Sequence, residues 1–574
     1  MSAGLGSVPA EQTYLDITQG NRVFDSLYDE ELPATSRLCS PAWWRAVEER
    51  AESAPADIVP GLLASTLESA GVRVRVGGGA SCTFSRPLSE AQAIQRLSKK
   101  LSATPHPHPH PTFEARSGTL EQLPALVRNL RGGDLLIAIG RAPPAKNGSL
   151  AIGIAGNNSS IRGELTSDST RTHGYVLSTD VAPTILEHFG LDVPSAMSGQ
   201  PIRAEGRVDV AGIEALGARM ASISGRRGPV IGASLVAWLA LLALAILFVR
   251  GRVARVAVGL AALAIVYLPL LLLLGAAFEP SQGAERLLVM AGAPILATVT
   301  LLLARHGFRA LAIASGLVVL AYAIDVVAGS PLTTLSLLGP NPGLGVRFYG
   351  IGNELEALLA VLVVAGTGAA IQGFVPRLAP RAAAATFLAV GLACAFVFAA
   401  GRFGADVGAA ITMPIGAGAA ASKVATPQRR TALLVIMTSS LAFVGFIAAI
   451  DLISGANAHL TRSVLDAGGF GDLAQVAQRR LQLSAHSFAR PIVFAFLPLL
   501  LAIGALAIAR RETLRTWFAG APLLAAGLLG ALVAVVVGTL ANDSGALVLE
   551  IGAAYLLVFA GFAWAEAPKP AAGD

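Results

Sequence analysis

The amino-acid sequence predicts an α/β sandwich followed by a polytopic, all-α transmembrane bundle of about eleven helices. The first observation is composition: the 574 residues are 54% hydrophobic and only 14% charged, whereas about a quarter of residues are charged in soluble domains. The second is that residues 1–225 carry ordinary densities of polar residues, while the remainder is a succession of Leu, Ala, Val and Gly runs. We therefore divide the chain into an α/β domain, 1–225, and a membrane domain, 226–574.

Eleven apolar stretches in the second region are long enough to cross a hydrocarbon core of about 30 Å as helices. They lie near 229–249, 254–278, 286–304, 308–328, 354–374, 382–400, 405–422, 431–453, 490–509, 519–540 and 544–566.

The loops between these stretches predict their orientation, since short cytoplasmic loops are enriched in Lys and Arg. Every second loop carries at least two basic residues, as at Arg305 and Arg309 or at Arg510 and Arg511. That set of loops is expected to face the cytoplasm, which places the amino-terminal domain outside the membrane. The net charge of +6 then reflects membrane topology, and nucleic acid is excluded as a partner.

A domain outside the membrane needs an export signal. Met1–Tyr14 has neither a basic segment nor an apolar core of the signal-peptide type. We therefore expect a segment upstream of Met1 that contains a signal anchor. Cys39 and Cys82 both fall in this domain, and in an oxidising compartment they form either a disulfide or two free thiols.

The α/β domain is predicted from helices near 57–70, 118–130 and 181–189 that alternate with short strands near 72–76, 135–139 and 150–155. This alternation indicates a parallel α/β sandwich. Between them, His106, His108 and His110 are interleaved with prolines, a pattern that favours an extended linker over a metal cage.

The stretch STDVAPTILEHFGLDVPSAMSGQP, residues 178–201, resembles the carboxy-terminal part of the alkaline phosphatase superfamily. The resemblance implies an incomplete domain of that fold. From the local sequence alone, Asp180 is expected to cap the helix that begins near Ala182 and Pro183. In active members, a strand like Asp134–Ile139 ends in an Asp-His pair that binds metal. Here that strand leads into Gly140 and Arg141, so the ligands are missing.

His173 is the one remaining candidate for a metal ligand in this domain, and Thr18 is a candidate nucleophile near its amino end. The more economical interpretation is a catalytically inactive domain used for binding, a pseudoenzyme. We therefore predict no resident cofactor, because a site for two divalent metal ions needs several carboxylate and imidazole ligands.

Three predicted outer turns of the bundle are rich in polar residues. Their sequences are GPNPGLGVRFYGIGNELEALL, AAGRFGADVGAAITMP and TLANDSGALVLE. Charged groups that enter a bilayer are costly, so several at one face predict a polar pocket there. The alternative for each residue is a helix cap or an arginine that reaches lipid headgroups. The candidate catalytic residues are Glu354 and Asp406, and the candidate substrate-binding residues are Arg347, Tyr349, Asn353, Arg402, Asn542 and Asp543.

An outer segment, 454–489, has apolar residues at helical spacing and several arginines. It is predicted either to lie on the membrane surface or to form a structural elbow on the bundle. The motifs RFYGIGNE, GADVG and NDSG, joined to a degenerate phosphatase-like domain, resemble a family of bacterial envelope membrane proteins. That resemblance implies architecture more than activity.

The leading functional hypothesis is an envelope protein that binds a phosphorylated, lipid-linked substrate, such as one on a polyprenyl phosphate, at its outer face. Arg347 and Arg402 would clamp the phosphate, and Glu354 or Asp406 would act as general base in glycosyl or phosphoryl transfer. The second hypothesis is a transporter or flippase with an outer receptor domain, in which carboxylates such as Asp325 couple to protons. The third is a metal-dependent phosphatase or phosphodiesterase.

Overall fold

The computed structural model describes residues 1–33, 40–54, 56–77, 111–141, 146, 148–156, 162–248, 251–425, 428, 443, 445, 478 and 481–567. The chain is mostly helical, at 66%, and divides into two compact units. The first unit consists of Met1–Ala221 together with Pro342–Phe348, and the second of Ser222–Asn341 together with Tyr349–Asp574. The first unit thus ends near the predicted boundary at 225, and it also includes a segment that we had assigned to the membrane domain.

The amino-terminal region contains short helices and strands in alternation. Its helices are α1 (Ala10–Gln19), α2 (Pro41–Ser53), α3 (Leu62–Ser69), α4 (Leu123–Arg128), α5 (Val181–His188) and α6 (Val210–Arg227). Its strands are β1 (Arg73–Gly77), β2 (Thr112–Arg116), β3 (Leu135–Ile139), β4 (Ile152–Gly156), β5 (Glu164–Ser167) and β6 (Ile202–Glu205).

The described strands pair as three separate two-stranded sheets. The β1–β2 pair is parallel, whereas β3–β4 and β5–β6 are antiparallel. The three predicted strands are present, but the prediction that they form one parallel sheet is wrong for this part of the chain, because β3 and β4 form a local antiparallel pair. The alkaline phosphatase-like fold is not confirmed. Cys39, Cys82 and the three interleaved histidines lie outside the described residues.

Helix α1 is unusual because its polar side chains are buried in the first unit. Asp16 is 1% exposed, and its Oδ1 accepts hydrogen bonds from Gln12 Nε2 at 2.7 Å and Gln19 Nε2 at 3.2 Å. Burial raises the pKa of Asp16 to about 7. Arg50, from α2, donates to Gln12 Oε1 at 3.0 Å and stacks over the Tyr28 ring. These bonds satisfy polar groups that would otherwise be costly to bury.

The segment Pro342–Phe348 packs within the first unit by close backbone contacts. Gly345 has φ +68°, and a Cβ on it would lie 2.3 Å from Gly4 O, so only glycine fits there. The carbonyl of Gly345 accepts a hydrogen bond from Arg22 Nη2 at 2.6 Å. The Phe348 ring lies against Tyr175, with centroids 5.5 Å apart.

The second unit contains apolar helices that follow α6. These are α7 (Ala233–Phe248), α8 (Arg252–Phe278), α9 (Gln282–Ala304), α10 (Gly307–Val327), α11 (Asn353–Phe374), α12 (Pro380–Ala399), α13 (Val407–Ala425), α14 (Pro491–Ala509), α15 (Arg511–Phe518), α16 (Pro522–Ala541) and α17 (Gly545–Glu566). A π-helical turn, Gly228–Gly232, joins α6 to α7.

Nine helices in the described part of the chain are long and apolar enough to cross a membrane, the first of them running Val210–Leu244 through the π-helical turn. The protein is therefore a multi-pass membrane protein, but the count differs from the predicted eleven. The crossing predicted at 431–453 lies outside the described residues, as does most of the outer segment 454–489. The crossing predicted at 490–509 is helix α14, in which only a shorter apolar stretch, Phe496–Ala509, was found.

Helix α11 lies at the centre of the bundle, with most of its residues buried. Glycines allow its neighbours to approach it closely: a Cβ on Gly368 would lie 2.7 Å from Leu523 O, and one on Gly527 would lie 2.9 Å from Val364 O. Lipid supplies no hydrophobic driving force for helix association. Small residues instead let the helix backbones approach closely, so that van der Waals packing holds the helices together. The packing fixes α11, α13 and α16 around the polar residues at one end of the bundle.

Candidate functional site

Side chains from three helices or their caps meet at the backbone of Gly408, at the start of α13. A Cβ on Gly408 would lie 3.0 Å from both Asp406 Oδ1 and Glu356 Cδ, and 3.1 Å from Asn542 Nδ2. The two carboxyl groups are therefore separated by no more than twice that distance. We call Glu356, Asp406, Thr412 and Asn542 the carboxylate cluster.

Glu356 is the centre of this cluster. Its side chain is completely buried, Oε1 lies 2.7 Å from Thr412 Oγ1, and Oε2 accepts a hydrogen bond from Asn542 Nδ2 at 3.1 Å. The same Thr412 oxygen lies 3.0 Å from Gly408 O. The hydroxyl can donate to an ionised Glu356, or it can donate to Gly408 O and accept a hydrogen bond from the O–H of a neutral Glu356. The geometry therefore accommodates both protonation states.

Asp406 has an identifiable local function. It is 3% exposed, and its Oδ1 accepts a hydrogen bond from the backbone N–H of Ala409 at 2.8 Å. This bond satisfies one of the unpaired amides in the first turn of α13, as a capping residue does. Asp406 was predicted as a catalytic residue, and the structure places it in the cluster while giving it this capping bond as well.

Glu354, the other predicted catalytic residue, is in an ion pair. Its Oε1 lies 3.2 Å from Arg227 Nη1, and Arg227 Nη2 donates to Gly339 O at 2.7 Å. The neighbouring Arg226 pairs with Glu285 at 2.5 Å. Sequence reasoning missed both pairs, although two adjacent arginines directly before the first apolar run were a visible signal.

Two further predicted residues are brought together, since Asn353 Nδ2 donates to Asp543 Oδ1 at 2.9 Å on the exposed surface. Arg402 is exposed and Tyr349 half-buried in the second unit. Arg347 belongs to the segment of the first unit, so the proposed phosphate clamp with Arg402 stays a prediction.

Asp325, suggested above for proton coupling, organises a turn. Its carboxylate accepts hydrogen bonds from the backbone N–H groups of Leu332 at 3.0 Å and Thr333 at 2.7 Å. Non-helical backbone at a bundle end needs such partners when it is removed from water. These bonds give Asp325 a structural function in the loop that follows α10.

In the phosphatase-like motif, residues 178–201, Asp180 is the residue around which the hydrogen bonds are arranged. Both oxygens of the buried Asp180 accept hydrogen bonds, from Ser167 Oγ and Ser169 Oγ at 2.6 Å each, and from the backbone N–H groups of Leu177 and Gln200 at 2.9 Å each. Burial raises the pKa of Asp180, and these donors oppose the rise. Its side chain does not cap α5, so that prediction is wrong. The carboxylate instead links Ser167 of β5 to the backbone N–H groups of Leu177 and Gln200.

The candidate residues for metal and nucleophilic chemistry are not assembled in the described residues. His173 is exposed, and no group of three or more His, Cys, Asp or Glu side chains suited to a metal ion was found in that part of the chain. Thr18 is buried and donates to Leu15 O within α1 at 3.1 Å.

The carboxylate cluster is therefore the arrangement that carries chemistry most directly. It contains a fully buried carboxyl group, Glu356, near the start of a helix long enough to cross a membrane, and its neutral hydrogen-bonding partners fit it with or without a proton. Comparisons of the chain with protein families, with curated proteins and with solved structures found no match.

Proposed function

We propose that the protein is a proton-coupled transporter or flippase of the bacterial plasma membrane, with Glu356 as the group that takes up and releases the proton. The observation that carries the proposal is the pair of hydrogen bonds open to Thr412 Oγ1, at 2.7 Å to Glu356 Oε1 and 3.0 Å to Gly408 O. Ionisable groups inside a bundle are costly, and they commonly mark ion or proton pathways.

Burial favours transport over catalysis at Glu356. A general base must come within hydrogen-bonding distance of its substrate, whereas Glu356 is completely enclosed. A transporter exposes such a group in turn to either side by moving one part of the bundle against another.

The orientation that we propose places the carboxylate cluster and the amino-terminal unit on the outer side. The support is the distribution of basic residues, which are concentrated in the loops at the opposite end of the bundle. Protons from a more acidic exterior would then reach Glu356 first.

The second candidate is transfer of a glycosyl or phosphoryl group from a phosphorylated, lipid-linked donor. One specific observation favours it: Glu354 and Arg402, a carboxylate and a guanidinium, are both accessible to solvent at the end of the bundle that holds the carboxylate cluster, with Glu354 24% exposed. A guanidinium binds phosphate well. In this scheme Glu354 is the base, and Arg227 must release it from their ion pair.

Infrared difference spectroscopy of the full-length protein in liposomes tests the proton site. A pH step should change a carbonyl band of a protonated carboxyl group, which shifts in D₂O. Glu356→Gln should remove one component of that change, because Asp16 contributes another. Glu550→Gln, at a half-buried glutamate on α17, should retain all of it. An unchanged band in Glu356→Gln would refute the assignment of the proton to this residue.

Transport itself is tested in proteoliposomes by the movement of a fluorescent polyprenyl phosphate between leaflets under an imposed pH gradient. We expect acceleration in the wild type and in Glu550→Gln, and none in Glu356→Gln. Native mass spectrometry with the same lipid addresses the second candidate. Tight binding that is lost in Arg402→Ala, with no movement between leaflets in any variant, would favour the transferase and contradict the transporter.

A further inference from the structure

Acidic and basic residues are distributed unequally between the two ends of the bundle in the second unit. At the end opposite the carboxylate cluster, where α8, α10, α12 and α16 begin, the described basic residues are Arg252, Arg255, Arg305, Arg309, Arg377, Arg381, Lys423, Arg510, Arg511 and Arg515. Among the described residues of this end, the acidic ones are Glu512 and Glu566. This basic end therefore presents a strongly positive surface.

The short helix α15 gives this surface a defined structure. Leu514, Trp517 and Phe518 are partly buried, whereas Arg511 and Arg515 are exposed. The spacing of three and four residues places the apolar side chains on one face of the helix and the two arginines on another. Helix α15 is thus amphipathic, and it connects two apolar helices, α14 and α16.

Aromatic contacts attach α15 to the bundle. The Trp517 ring packs edge to face against Trp564 near the end of α17, with centroids 6.4 Å apart. The guanidinium of Arg255, at the start of α8, lies 5.5 Å from the centroid of the Trp564 ring. Tryptophan is enriched where a membrane helix passes from hydrocarbon to headgroups. These contacts locate α15 at that level.

We propose that α15 lies in the plane of the membrane and binds the headgroups of anionic phospholipids through Arg510, Arg511 and Arg515. Glu512 is 2.6 Å from Arg515 and 3.6 Å from Arg511. A single carboxylate beside three arginines leaves the group with a net positive charge. A single guanidinium group can donate two parallel hydrogen bonds to the oxygens of one phosphate.

An anionic lipid fits this surface better than a nucleic acid or an acidic protein does. The apolar helices on both sides of α15 keep it at the membrane surface, where phospholipid phosphates are the most concentrated anions. The inference does not depend on the proposed transport function, because the surface is at the other end of the bundle from Glu356.

The test is the thermal unfolding of the full-length protein in neutral detergent with added phosphatidylglycerol or phosphatidylcholine. Wild type should unfold at a higher temperature with phosphatidylglycerol than with phosphatidylcholine, and the difference should shrink as salt is added. Arg511→Gln/Arg515→Gln should lose at least half of that difference. Arg377→Gln/Arg381→Gln, with the same loss of charge at the same end, should retain it.

A third variant keeps the test valid if the double variant on α15 folds poorly. Glu512→Gln retains all three arginines and removes the negative charge, so it should enlarge the difference between the two lipids. The proposal is overturned if both double variants lose the difference equally, since the cause is then the total charge. It is also overturned if the α15 variant retains the full difference.

Discussion

Asp16 offers the sharpest quantitative test in the first unit. Burial raises its pKa from 3.8 to about 7, so between those values the folded protein holds a proton that the unfolded chain has released. Stability must therefore fall as pH rises through this window, and the fall ends once the folded carboxyl group also ionises. A shift of roughly 3 units corresponds to roughly 4 kcal/mol, which is an upper bound on the loss.

Replacing Asp16 with Asn should abolish this pH dependence. Asparagine stays neutral, and its Oδ1 can still accept the hydrogen bonds that Gln12 and Gln19 donate to Asp16. We expect the free energy of unfolding of Asp16→Asn to exceed that of wild type at pH 8 by as much as roughly 4 kcal/mol. Near pH 4, where Asp16 is protonated in the folded protein, the two should be similar.

The measurement is denaturant-induced unfolding of the full-length protein in detergent at several pH values, followed by tryptophan fluorescence. Trp43 and Trp44 are each 2% exposed and pack against Leu15, beside Asp16 on α1. The other three tryptophans, Trp238, Trp517 and Trp564, are changed to Phe so that the signal comes from the first unit.

Glu187→Gln, which removes an exposed carboxylate on α5, serves as the control and should follow wild type at every pH. If wild type and Asp16→Asn lose stability in parallel between pH 4 and pH 8, Asp16 does not hold a proton in the folded protein, and the reasoning from its burial fails.

Three further changes have expected outcomes. Thr412→Val removes a hydrogen bond to Glu356, and in detergent it should lower the free energy of unfolding by about 0.6–1.7 kcal/mol. Arg227→Gln should destabilise the second unit because it leaves Glu354 without its ion-pair partner, and adding Glu354→Gln should restore part of the loss in a double-mutant cycle. Gly345→Ala should lower the unfolding midpoint reported by the first unit's tryptophans, at a cost of about 1–3 kcal/mol for the strained backbone.

Matched substitutions show whether these effects have the stated causes. Thr412→Ser keeps the hydroxyl and should cost less than Thr412→Val. Additive effects of Arg227→Gln and Glu354→Gln would mean that the ion pair contributes nothing. Gly6→Ala also changes a glycine with positive φ, but its Cβ would meet no atom within 4 Å, so it should be milder than Gly345→Ala.

The sequence predicted the membrane helices well where apolar runs end at polar residues. The crossing predicted at 354–374 is Asn353–Phe374, and the one at 382–400 is Pro380–Ala399. Strand Leu135–Ile139 was also predicted with the observed bounds. These elements depend on local hydropathy, which a sequence displays directly.

Pairing and burial could not be predicted in the same way. Strand β2 was missed because it follows directly on the His-Pro segment, and its partner β1 is separated from it by the residues between 77 and 112. Glu354 and Glu356 are indistinguishable in sequence, two residues apart on one helix. Only the packing of the helices distinguishes them. Glu354 forms an ion pair with Arg227, whereas Glu356 is enclosed and bonds to Thr412 and Asn542.

The assignment of Pro342–Phe348 to the first unit has a consequence for how the chain is made. When residue 221 leaves the ribosome, Arg22 still lacks the Gly345 carbonyl that it binds in the finished protein, and helices α7 to α10 must be synthesised before that carbonyl exists. At about 5–20 residues per second, the synthesis of residues 222–345 takes roughly 6–25 seconds. The first unit therefore stays incomplete during insertion of these helices, and a chain that stalls there would present an unfinished surface to proteases.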